Sequence, residues 1–259
     1  MKFTTSLMTV VLATAPVVAC SHPVSTDSAH LVSAASTRQD VGGDVSLSGW
    51  DLTLPVNSAG ELSGTAAVLH PAAVDAPWLT RTSTGGLEFW APAAGAETAH
   101  SGHPRTELVN ASPFTIGGAG HTLAATVAVT QLPIATPDIV IGQIHEPGPV
   151  PYLLLRYESG RVFTTWRTSV DGSTKAGRQQ IISGIALNSP FSYTICANIG
   201  HTVDISVTYN GITKTETVTV PTAFVGTEGR FQAGDYQQAS TSTGPDDGGR
   251  VIFTALSAN

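Results

Sequence analysis

From Val45 onward the apolar stretches of this 259-residue chain are short, alternate in polarity from one residue to the next, and stop at clusters of Gly, Pro, Asn or Asp. A period of two places successive side chains on opposite faces of a strand, whereas a helix would need apolar residues three and four apart. Segments 87–91, 123–130, 139–145, 152–157, 161–167, 191–196 and 251–256 read as strands on this basis. Val203–Val220 is the clearest element, because two alternating runs flank Asn210-Gly211. That dipeptide accepts positive φ at both central positions of a type I′ turn, the geometry that closes a two-residue hairpin. The 26 glycines and 16 prolines supply the many reversals such a chain needs. The expectation is an all-β fold, a two-sheet antiparallel sandwich or jelly roll.

The N-terminus reads differently. Lys2, an apolar stretch from Leu7 to Val18 and the small residues before Cys20 form an export signal over 1–20, too short and interrupted to span a bilayer well. Val17-Val-Ala-Cys20 resembles a bacterial lipoprotein processing site, which would leave Cys20 lipidated; ordinary cleavage with release is the alternative. Residues 21–44 are rich in Ser, Thr, Ala and Asp without periodicity and read as a flexible linker. The third segment, 45–259, is expected to be one domain, secreted or held at the cell surface as a lipoprotein and monomeric. Cys196, in the apolar run Tyr193–Ala197, reads as a small buried hydrophobe. With Cys20 the sole other cysteine, a disulfide framework is not expected.

A formal charge of −7 argues against nucleic acid as a partner, since that function is marked by a basic patch. It also means that a site for an acidic ligand must be locally positive or rich in hydrogen-bond donors. Three clusters meet that demand: Arg105-Thr-Glu107, Gln143-Ile-His145 and Arg230-Phe-Gln-Ala-Gly-Asp-Tyr236-Gln-Gln238. On strands, Arg105 and Glu107 would share a face, as would Gln143 and His145, and Gln232, Tyr236 and Gln238. A cation, an amide, an imidazole and a phenol together suit abstraction of a proton next to a carboxylate. Such a proton is acidic only once the carboxylate is neutralised, the role expected of Arg105 through a bidentate contact and of Gln143 through its amide. His145 supplies a base near neutral pH, and Tyr236 a proton for the leaving oxygen. Glu107, Gln232, Gln238 and Arg156 are the expected substrate contacts. The eight histidines form no cluster with metal-ligand spacing, so no metal or other cofactor is called for.

Arg-Thr-Glu-Leu (105–108), Gln-Ile-His (143–145) and Phe-Gln-Ala-Gly-Asp-Tyr-Gln-Gln (231–238), with the opening Trp50-Asp-Leu-Thr-Leu-Pro-Val56, resemble in order and spacing the signature blocks of alginate lyases of polysaccharide lyase family 7. The resemblance implies a jelly roll with a concave groove and β-elimination in an acidic polysaccharide. It further implies endo action and, from Gln-Ile-His in place of Gln-Val-His, a preference for guluronate-containing blocks. Two positions depart from the family pattern: Val109 stands where a second arginine is common, and Gln232 where a lysine is usual. Arg230 is not expected to compensate, on the argument that adjacent strand residues face opposite sides. The departures leave another polyuronate, such as glucuronan, as an alternative substrate.

Two other functions fit a β-sandwich. A noncatalytic carbohydrate-binding module would use Trp90, Trp166 or Tyr152 as sugar platforms. A glycoside hydrolase would need two carboxyl groups straddling the scissile bond, and Glu107 is the one acid within a strand-like block that could serve. The polar segment 240–249 reads as a turn, with a mobile lip beside the groove as the sharper alternative.

Overall fold

The computed structural model describes residues 44–146, 148, 150–174 and 177–259. The expected export signal, the Cys20 anchor and the linker up to residue 43 lie outside the described residues. In chain order the strands are β1 (Trp50–Thr53), β2 (Val68–Leu69), β3 (Leu79–Arg81), β4 (Leu87–Pro92), β5 (Arg105–Asn110), β6 (Phe114–Thr115), β7 (His121–Gln131) and β8 (Asp138–His145). They continue with β9 (Pro151–Glu158), β10 (Arg161–Trp166), β11 (Gly177–Ser183), β12 (Phe191–Ala197), β13 (Thr202–Tyr209), β14 (Ile212–Thr219), β15 (Glu228–Gln237) and β16 (Gly248–Ala258). No helix occurs among the described residues.

The strands form two antiparallel sheets. One is nine-stranded, in the order β11-β10-β9-β8-β15-β5-β1-β2, with β6 attached to β15; the other is seven-stranded, β14-β13-β12-β7-β16-β4-β3. Consecutive strands mostly either pair directly, as in β8 to β11 and β12 to β14, or lie in opposite sheets, and β15 inserts between β8 and β5 although residues 146–227 separate it from β8. The result is the jelly roll expected from the strand pattern. The hairpin is where Asn210-Gly211 puts it: β13 and β14 pair from Thr202↔Thr219 to Tyr209↔Ile212, and φ is 50° at Asn210 and 76° at Gly211.

The facing sides of the sheets bury one apolar core. From the nine-stranded sheet come Leu52, Leu108, Ile144, Leu155, Phe231 and Ala233, and from the other Phe89, Leu123, Ile195, Val207, Val251 and Phe253. Each fully buried large side chain of this kind is worth about 1.5–3 kcal/mol relative to exposure. Cys196 is buried as well, on the side of β12 opposite the core residues Ile195 and Ala197.

Polar ties cross the core where apolar packing alone would not fix the sheets' alignment. The Thr106 hydroxyl donates to the Trp90 carbonyl at 2.6 Å, and the Asp235 carboxyl accepts the Ala91 N–H at 3.1 Å. Tyr193 reaches across from β12 to donate to the Ile141 carbonyl at 2.7 Å. Ile141 lies at a bulge, since Val140 pairs with Arg156 but Gly142 pairs with Leu155. A side chain at Gly142 would meet the Tyr193 hydroxyl at 2.8 Å, so glycine is what lets the tyrosine close on the bulge.

Candidate active site

Because β15 sits between β8 and β5, the three polar clusters become adjacent rows. Tyr236 pairs with Arg105, Gly234 with Glu107 and Gln232 with Val109; on the other side Gln232 pairs with Gln143 and Arg230 with His145. Leu108, Ile144, Phe231 and Ala233 turn to the core, so the alternate residues Arg105, Glu107, Gln143, His145, Gln232 and Tyr236 take the outer face. These side chains thus share the face that period-two alternation assigns them.

On that face lies a cleft of about 280 Å³. Arg105, Val109, Gln143, His145, Gln232 and Tyr236 line it, with Thr53, Gly148, Pro151 and the loop Thr98–Ser101 contributing its walls. A larger cavity of about 430 Å³ lies elsewhere, where β11 meets the β13–β14 hairpin, and Lys214 is its one ionisable side chain besides Tyr209. Chemistry, not volume, selects the first.

The Arg105 guanidinium lies over the Tyr236 ring, with Cζ 3.5 Å from the ring centroid, a stacking that a planar cation makes well. Its Nη1 donates to Glu107 at 3.1 Å. Nε is buried without a partner, and Nη2 makes no hydrogen bond among the described residues. Donor capacity thus remains on the cation at the cleft floor.

Glu107 is fully buried beneath Arg105 and Gln143, and both of its oxygens are occupied: Oε2 by Arg105 and Oε1 by the Gln143 amide at 2.6 Å. Burial pushes its carboxyl above the ordinary range, opposed by the Arg105 charge and by these hydrogen bonds. The second Gln143 amide hydrogen goes to Gln232 Oε1 at 2.9 Å, while Gln143 Oε1 is buried with no partner. Two sequence expectations change accordingly. Glu107 is sealed from any ligand and supports the cleft from below, and Gln143 has both donors engaged within the protein. The amide left with free hydrogens at the cleft is that of Gln232, whose oxygen is fixed by Gln143.

The His145 imidazole is half-buried, and its Nδ1 meets the Glu146 backbone carbonyl in a short contact. A carbonyl only accepts, so Nδ1 carries the proton and Nε2 is left with its lone pair. Burial lowers the imidazole below its usual range, and the Arg105 charge adds to this, against the opposing effect of the Glu146 carbonyl. The group is therefore neutral and available as a base.

Arg156 and Gln238, expected as substrate contacts, lie on the same sheet face but outside the cleft lining. Arg156 binds Asp138 through Nε and Nη2, and Nη2 also reaches Gln238 Oε1 at 3.3 Å. Arg230 lies two residues from Gln232 and so shares its face, not the opposite one; its guanidinium is turned to Glu228 at 3.2 Å, away from the cleft. The segment 240–249 forms a turn over residues 240–247, with Asp247 receiving the Thr243 N–H and hydroxyl and the Ile134 N–H, and opens β16 at 248–249. It contributes nothing to the cleft lining; the wall comes instead from residues 98–101, which no periodic pattern marked. Among the described residues no group of three or more His, Cys, Asp or Glu converges as a metal site.

A family model described as alginate lyase matches residues 45–259. The chain belongs to the alginate lyase family. Membership makes it a polysaccharide lyase, and the departures at 109 and 232 acquire a location within the family's fold: they are cross-strand partners on one patch of cleft floor. Among solved structures, an alginate lyase from Pseudomonas aeruginosa is 27% identical with a TM-score of 0.72, covering 83% of this chain and 99% of its own. An alginate lyase from Klebsiella pneumoniae is 24% identical with a TM-score of 0.71, covering 82% and 95%. Alginate lyase A1-II′, a member of polysaccharide lyase family 7, is 22% identical with a TM-score of 0.68, covering 83% and 96%. The last two establish likeness of fold alone. Comparison with curated protein sequences gives no match.

Proposed function

We propose that this lyase cleaves 1,4-linked alginate by β-elimination, in an endo fashion and with preference for guluronate-containing blocks, at the cleft formed by β5, β8 and β15. The observation that carries the reading is the meeting in one cleft of a tyrosine under a guanidinium and a neutral histidine whose Nε2 has no hydrogen-bond partner among the described residues. In this mechanism the spare donors of Arg105 and the Gln232 amide engage the uronate carboxylate and stabilise the charge that builds there. His145 Nε2 takes the proton from carbon 5. The electrons of that bond form the double bond between carbons 4 and 5, the bond from carbon 4 to the glycosidic oxygen breaks, and the departing oxygen takes the Tyr236 proton. Return of a proton from the imidazolium to the phenolate through solvent resets the site.

Glu107 and Gln143 act beneath the substrate in this reading. The carboxylate holds Arg105 and Gln143, and Gln143 in turn orients the Gln232 amide with its hydrogens toward the cleft. The buried positions of Trp90 and Tyr152 remove two of the three aromatic platforms that a noncatalytic binding module would use. For hydrolysis, Glu107 is inaccessible and Asp235 lies on the core side, so the required carboxyl pair is missing from the lining.

Ultraviolet absorbance of unsaturated products, followed on polyguluronate, polymannuronate, mixed alginate and glucuronan, tests the substrate, and early product lengths test endo action. Tyr236→Phe is expected to lower turnover by roughly 10²–10⁴, the range for loss of a positioned acid or base. Retention of wild-type turnover in that variant would remove the phenol from the mechanism.

A further inference from the structure

The wall loop before β5 contains a hydroxyl that bears directly on the phenol. Ser101 Oγ lies 3.0 Å from the Tyr236 hydroxyl. The same oxygen donates to the His103 carbonyl at 3.1 Å and receives the His103 N–H at 3.2 Å. A serine hydroxyl has one proton to give. With that proton on the His103 carbonyl, the contact with tyrosine must run the other way, the phenol O–H donating to Ser101.

We propose that Ser101 is a positioning residue for Tyr236: it holds the phenol proton at the cleft wall before reaction and supplies a hydrogen bond to the phenolate after that proton has left. This rests on the assignment of Tyr236 as the acid. When Tyr236 gives its proton to the glycosidic oxygen, its own oxygen becomes an acceptor only, and Ser101 rotates its hydrogen from the His103 carbonyl to the phenolate. Ser101 keeps its proton throughout. The oxygen of Tyr236 is thus never without a partner, and the interaction strengthens as charge develops, which is the condition for lowering a barrier and not merely tightening binding.

The loop is built to hold this distance. The His103 ring nitrogen Nδ1 lies 3.2 Å from the Ala239 carbonyl, so it carries a proton and donates. Ala239 follows the end of β15, and its own N–H is received by the Gln237 side chain at 2.6 Å. Serine and tyrosine are therefore tied to the same strand through two routes, one covalent and one through His103. Residue 101 lay outside every alternating run, which is why strand pattern could not reveal it.

The test compares Ser101→Ala, Ser101→Thr and Tyr236→Phe, singly and as Ser101→Ala/Tyr236→Phe, by steady-state kinetics of unsaturated product formation on alginate, with thermal melts confirming folding. Ser101→Ala is expected to lower kcat roughly 10- to 100-fold with KM within about twofold, and Ser101→Thr to restore most of it. In the Tyr236→Phe background the same alanine change should have no further effect. An unchanged kcat in Ser101→Ala, or an equal loss in both backgrounds, would overturn the role of Ser101 while leaving Tyr236 in place. Wild-type turnover by Tyr236→Phe would instead remove the assignment on which the role depends.

Discussion

The outer face of the nine-stranded sheet carries two clusters of the same composition, an arginine, a carboxylate and a glutamine, and they behave differently. In one, Glu107 is sealed below and takes a single Arg105 nitrogen, leaving the rest of the guanidinium over Tyr236. In the other, Asp138 takes two nitrogens of Arg156, and Gln238 accepts from one of them as well. The difference is one of approach. Glu107 has a longer side chain and lies on the same strand two residues from its arginine, so it meets the fork at one tip; Asp138 meets Arg156 from the neighbouring strand, side-on. A buried carboxylate thus leaves one cation with donors to offer, and an edge-on carboxylate closes the other. Similar residue types do not make equivalent sites; the two clusters differ in how many guanidinium donors remain free.

Arginine-to-lysine changes set the two clusters against each other most sharply. Arg105→Lys loses the planar stack on Tyr236 and is expected to cut kcat/KM about 10²- to 10³-fold, whereas Arg156→Lys should stay within about threefold. Comparable losses in both would mean that the distinction is wrong. Carboxylate-to-amide changes come next. Glu107→Gln leaves Arg105 over an uncharged partner in a buried place and should lower stability by about 3 kcal/mol. Asp138→Asn, whose arginine side chain is 20% exposed, should cost about 1 kcal/mol; chemical denaturation of both variants would rank them.

The smallest effect concerns a third carboxyl, Asp235, on the opposite side of β15 from the cleft. It is fully buried, and burial holds it well above its ordinary 3.8, only partly offset by the Ala91 N–H and the Arg250 charge. A folded-state value above the unfolded one means that the native chain holds the proton more firmly. The associated stability is present at low pH and is lost as pH rises through the folded value, at most about 1.4 kcal/mol per pH unit. Asp235→Asn keeps an acceptor for Ala91 and removes the titration. Melting temperatures of wild type and variant should converge or cross as pH rises, with the flatter dependence in the variant; parallel curves would show that Asp235 does not titrate in this way.

Much of this was legible in the sequence because strands and faces are local properties. Alternation placed Arg105, Gln143, His145 and Tyr236 on the face where they are found, and Asn210-Gly211 fixed a hairpin to the residue. Hydrogen-bond direction was not legible, because it depends on what lies across the sheet: Gln143 gives its donors to Glu107 and Gln232, and Arg156 is captured by Asp138. Nor was the bulge at Ile141, which depends on Tyr193 arriving from the other sheet. Residues 98–101 left no trace in the pattern, since an irregular loop is placed by what it rests on. β11, rich in polar residues at a sheet edge, lacks the alternating apolar face that marks a strand.

The insertion of β15 between β8 and β5 has a bearing on how the protein is made. A growing chain has emitted β5 and β8 long before Glu228, and until β15 follows, the middle of the larger sheet is a gap bounded by two open strand edges, which invite pairing with other chains. Synthesis must therefore reach Gln237 before the three polar rows can meet, and a truncation just short of that strand would yield not a weakened enzyme but a sticky, silent one.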